Sequence, residues 1–89
     1  MAHSTKAQTA SQEVPARALL TKWMEERGVT QSQLAKQVGI KQQSVSLWLT
    51  GVERPKSLHR DLLERVTDGA VKAHDWLNKE ERRRLARAA

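Results

Sequence analysis

The chain has no cysteine, no phenylalanine and no tyrosine. Without cysteine there is no disulfide framework, and the usual thiolate zinc sites are excluded. Without phenylalanine or tyrosine, the aromatic platforms that stack bases on single-strand and RNA-recognition sheets are missing too. No apolar run approaches the roughly 20 residues of a membrane span, and no apolar stretch follows the polar start to make a secretory signal. The absence of cysteine suits a reducing cytoplasm. What is present is 89 residues, a single small domain's worth, with a formal net charge of +6. Charge of that sign supports a nucleic-acid partner when a suitable fold accompanies it. Three tryptophans, Trp23, Trp48 and Trp76, supply all the aromatic bulk.

The chain divides into three parts. Residues 1–13 are rich in Ser, Thr, Gln and Ala without apolar periodicity. They read as a flexible arm, either a leader without a role or an arm that reaches DNA. Residues 14–77 alternate short helical patterns with glycine-marked turns, so the fold class is all-α. Residues 78–89 form a basic helix or tail. Pro15 suits a first helical turn. Ala16, Leu19, Leu20, Trp23 and Arg27 then recur at helical spacing, with Met24 beside them, and Gly28 stops the helix. Thr30 can cap a short helix from Gln31 to Val38, with Leu34, Ala35 and Val38 inward and Gly39 at its end. A third helix runs from about Gln42 to Leu49 with Val45, Trp48 and Leu49 inward, and Gly51 closes it. Pro55 interrupts the following loop. Ser57 is expected to cap a fourth helix carrying Leu58, Leu62, Leu63 and Val66, which the Thr67-Asp68-Gly69 turn breaks. Val71 to Leu77 is a short fifth element, helical or partly extended. Asn78 and Glu81 have the spacing of a capping box for a last helix from Lys79 to Arg87.

Gln31 to Thr50 is the informative stretch. A tight turn needs the positive φ that Gly39 accepts. A close helix crossing needs a small residue such as Ala35. Leu34, Val38, Ile40, Val45 and Trp48 fill the angle. These are the requirements of a helix-turn-helix. If the third helix buries Val45, Trp48 and Leu49, then Gln43, Ser46, Leu47 and Thr50 lie on its other arc and Gln42 projects from its start. Glutamine can bond adenine N6 and N7 together in the major groove. Leu47 is either a contact for a thymine methyl or an isolated surface leucine.

The ordered elements Gly28-Val29-Thr30-Gln31, Leu34-Ala35, Val38-Gly39, Gln42-Gln43-Ser44-Val45, Trp48, and Gly51 with Arg54-Pro55 resemble the Cro/cI type of phage and prophage regulators, the XRE-like helix-turn-helix family. The match is strong from Leu19 to Ser57 and extends weakly to Asp75-Trp76-Leu77. It implies a lambda-repressor-like bundle of about five short helices, with the C-terminal helix added. It also implies a Cro-like repressor that binds a near-palindromic double-stranded operator as a homodimer in a bacterial or phage-infected cytoplasm. Base reading is expected from Gln42, Gln43, Ser46 and Leu47. Gln31, at a helix start where free N–H groups and the dipole favour phosphate, joins Lys41, Ser44, Thr50, Arg54 and Lys56 on the DNA backbone. Lys41 stands where the family more often has Ser, Thr or Asn. Met24 and Leu49 stand where many members pair an Arg with a Glu, so an apolar contact is expected there. Trp48 is expected in the core, and Trp76 in the core or at a dimer interface.

His3, His59 and His74 are dispersed and no nucleophile or carboxylate pairs with them, so no catalytic site, metal or cofactor is expected. The small size also leaves no room for a separate effector domain. The alternative function is a protein-interaction module, antitoxin-like or coactivator-like, on the same fold. The Arg-rich segment Arg82 to Arg87 fits a partner, a nucleic acid or simply solvent.

Overall fold

The fold was taken from a computed structural model, which describes residues 13–88; the expected arm lies outside them except for Glu13. The order of elements is α1 (Pro15–Arg27), α2 (Gln31–Val38), α3 (Gln42–Thr50), α4 (Ser57–Val66), a 3-10 turn (Ala73–Trp76) and α5 (Lys79–Ala88). The described residues contain no strand, and no helix among them is long and apolar enough to cross a membrane.

Local chemistry sets the borders. Pro15 opens α1, and Gly28 ends it in the left-handed region at φ 65°, where a side chain would be strained. Thr30 and Gln33 form a reciprocal box at the start of α2. The Thr30 hydroxyl accepts from the Gln33 N–H at 3.1 Å, and the Thr30 N–H donates to Gln33 Oε1 at 2.8 Å. Gly39, at φ 85°, then turns the chain towards α3. α3 runs one residue further than its apolar pattern, because the Thr50 hydroxyl donates to the Leu47 carbonyl and Gly51 takes the left-handed cap.

Ala16, Leu20, Trp23 and Met24 of α1, Leu34, Ala35 and Val38 of α2, Val45 and Trp48 of α3, Leu63 of α4, and Val14, Val71 and Trp76 form one buried cluster. α2 packs most extensively on α3, and the 3-10 turn packs on α1 and α4. Trp76 is fully buried and meets Trp48 edge to face, with ring centroids 6.3 Å apart. It therefore belongs to the core and not to a dimer surface. Val14, which no periodicity marked, is buried ahead of the first helix.

Four expectations need correction. Leu19 and Leu58 do not point inward; both are exposed. The stripe of α1 follows residues 16, 20, 23 and 24, and Leu19 falls at its edge. In α4 only Leu63 is fully buried, with Leu62 and Val66 packed beside the core. Arg27 is exposed as well, and its guanidinium lies over the Trp23 ring at 5.7 Å, a cation–π contact made from the solvent side. Ser57 is not a cap. Lys56 occupies that position without a side-chain bond, and Ser57 is the first helical residue.

After α4, Asp68 and Gly69 both adopt positive φ, at 55° and 85°. The Thr67 side chain, buried at this corner, donates to the Leu63 carbonyl at 2.7 Å and accepts from the Val71 N–H at 3.0 Å. This arrangement satisfies a backbone donor that is out of reach of water. Lys72 is extended, and only Ala73–Trp76 is helical, as a 3-10 turn whose first N–H donates to Glu64. Asn78 and Glu81 do form the expected box, at 2.9 and 2.8 Å.

Candidate nucleic-acid interface

α3 lies in the angle between α1 and α2 with Val45 and Trp48 fully or almost fully buried. Its opposite arc follows from that fixed phase. Lys41, Gln42, Gln43 and Thr50 are exposed, and Ser44, Ser46, Leu47 and Leu49 are half-buried. The two glutamines thus stand side by side at the exposed start of the helix. Leu47 is not a freely projecting side chain; it shelters partly against its neighbours. Lys56 is exposed, and Gln31 is half-buried in the first turn of α2. Because the Thr30–Gln33 box serves only part of that helix end, the first N–H groups of α2 remain without intrahelical acceptors.

Two arginines, one at the far end of α3 and one in the loop after it, each use their charge within the protein. Arg17, on α1, donates from Nε to the Trp48 carbonyl at 3.0 Å and from Nη1 to Glu13 at 3.2 Å. Its side chain is 12% exposed, so a cation sits almost enclosed at the negative end of α3. Sequence patterning does not reveal Arg17; its position one residue after Ala16 is the available signal, but its acceptor is 31 residues away. Arg54, expected on the DNA backbone, grips Glu81 with both terminal nitrogens, at 2.5 and 3.2 Å, and also donates to the Trp76 carbonyl at 3.2 Å. Arg60, nearby, donates to the Pro55 carbonyl at 2.7 Å and so fixes the same loop.

The Arg54 hydrogen bonds hold the Glu81 carboxyl below its ordinary range, with a further contribution from the Asn78 N–H. A depressed carboxyl pKa stabilises the folded arrangement above the ordinary Glu range, and that contribution is lost as pH falls through the folded value. Protonation should therefore release α5 first, since this helix buries no residue. The expected result in an NMR pH titration is that α5 amide shifts move towards coil values below the ordinary Glu range while those of α1–α4 hold. Simultaneous loss of all helices would contradict it.

Met24 is buried, Leu49 is half-buried against the core, and both line one groove with Thr21, Val29 and Gln31. Neither is in solvent, and apolar side chains rather than an ion pair stand at these two positions. Such a replacement avoids the desolvation cost of two charges. His59 is half-buried with its ring 5.8 Å from Trp48.

This arrangement, two short helices joined at Gly39 inside an all-helical bundle, is that of a DNA-binding helix-turn-helix. Residues 20–60 match the helix-turn-helix family model. This part of the chain is similar to that family, consistent with a Cro/cI-type regulator on a lambda-repressor-like bundle. No curated protein and no solved structure gave a match.

Proposed function

We propose that the chain is a sequence-specific transcriptional regulator, a Cro-like repressor, that reads the major groove with α3. The observation carrying this reading is the pairing of Gln42 and Gln43 on the exposed start of a helix whose phase is locked by buried Val45 and Trp48. Gln42 and Gln43 read adenine edges, and Ser46 and Leu47 contact the bases beside them, Leu47 through a thymine methyl. Gln31, Lys41, Ser44, Thr50 and Lys56 hold phosphates on either side. Arg54 contributes indirectly, by tying its loop to Glu81. Two copies bind a near-palindromic operator, since one short reading helix rarely supplies enough affinity alone.

Selection of bound fragments from a random duplex pool tests the assignment. Gln42→Ala and Gln43→Ala should each relax preference at the contacted base by about 1–3 kcal/mol. Lys56→Ala should weaken all sequences alike and make the salt dependence of binding shallower by about one unit. Unchanged preference in both glutamine variants would remove α3 as the reader. Equal, weak binding to every duplex would favour a protein-interaction module.

A further inference from the structure

α5 has no part in the core. None of its residues is buried, and the family match ends at residue 60. It is nevertheless anchored at its start by the Asn78–Glu81 box and the Arg54 grip on Glu81. Glu81 is thereby used up, and Glu80 lies only at the 4.0 Å limit from Arg83. The helix is left with Lys79, Arg82, Arg83, Arg84 and Arg87 against those two acids. Arg83, Arg84 and Arg87 are exposed, and Arg83 and Arg87 stand four residues apart, where like charges repel on an isolated helix. Such a face is stabilised by a polyanion.

The anchor also sets where this face begins. Arg54 lies in the loop that leaves α3, and Arg82 lines a groove together with Arg17, Leu49, Thr50 and Gly51 at the end of α3. The Nε of Arg82 is buried without an acceptor among the described residues. Ten helical residues span about 15 Å, a length of duplex that carries about four phosphates on each strand.

We propose that α5 is a second DNA-binding element, an arginine-bearing helix latched beside the end of the recognition helix that binds duplex phosphates outside the bases read by α3. It takes the phosphate backbone of double-stranded DNA and reads no sequence. This inference rests on the DNA-binding function proposed above.

The test is the salt dependence of duplex binding by the full chain and by an Arg83→Gln/Arg84→Gln/Arg87→Gln variant, with Arg65→Gln on exposed α4 as a charge control. Because α5 buries nothing, the triple variant should keep the fold, checked by circular dichroism. Its plot of log affinity against log salt should become shallower by about 0.9 for each phosphate no longer neutralised, with base preference unchanged. Lysine at the same three positions should restore the slope. A slope equal to that of the Arg65→Gln control would overturn the proposal while leaving the α3 reading intact. A change of oligomeric state in ultracentrifugation with no change of slope would also overturn it, assigning α5 to a protein interface. If the unmodified chain bound no duplex, both readings would fall together.

Discussion

Trp76→Ala should cost about 3–5 kcal/mol of stability, the range for removing a large buried aromatic side chain. Trp76 is fully buried, and its ring meets Trp48 edge to face. Truncation therefore leaves a cavity beside the inner face of α3 and removes the aromatic pair. Small domains have only about 5–15 kcal/mol in total, so about a fifth or more of the stability would go. Urea denaturation followed by circular dichroism should show the midpoint falling sharply. Operator affinity should drop only as the folded fraction drops, because the bond of Trp76 to Arg54 is made by its backbone carbonyl, which the truncation keeps. A loss under about 1 kcal/mol would place Trp76 outside the cooperative core, since core truncations of this kind cost several times more.

Ala35→Leu tests the angle between the two helices. Ala35 is buried on α2, and its carbonyl accepts the N–H groups of both Gly39 and Ile40 at the turn. A larger side chain has no free volume there, and overpacking typically costs about 1–3 kcal/mol. Backbone shift is one way to relieve the crowding, and here the neighbour that would shift is α3 itself. Both stability and base preference should therefore fall. Ala35→Gly provides the contrast. It should cost about 1 kcal/mol through helix propensity, but it adds no bulk, and so the preference in the duplex selection should persist. Equal preference in the leucine variant would mean that the angle between α2 and α3 does not depend on Ala35.

The two substitutions separate what the sequence could reveal from what it could not. The importance of Ala35 is legible because a small residue at that offset before Gly39 serves a local requirement, close approach at a tight turn. The importance of Trp76 is not. One tryptophan in a short, weakly patterned element fits a core or an interface equally well, and only the packing of the 3-10 turn against α1 and α4 decides between them. Leu19 and Leu58 illustrate the opposite error. Both fit an apolar helical pattern, but a stripe is wider than the surface a small core can cover, and residues at its edge remain exposed.

The charged residues divide the same way. Gln42, Gln43 and Lys56 lie where the helix phase and the loop order put them. Arg17 and Arg54 bind partners 31 and 27 residues away, beyond the reach of any periodicity. Net charge counted both arginines as free cations, whereas the folded chain spends them on a helix end and a carboxylate.

By itself the sequence determined the borders of α1 and α2, the inward faces of α2 and α3 and the exposed position of the glutamine pair. These depend on capping residues, glycine turns and side-chain spacing within one or two helical turns, interactions that close over a few residues. The tertiary structure alone decided that Trp76 belongs to the core, that Arg17 closes the end of α3, and that Arg54 holds α5 rather than standing free. Those outcomes depend on which distant segments meet, and that is set by how the buried faces of separate helices fit together.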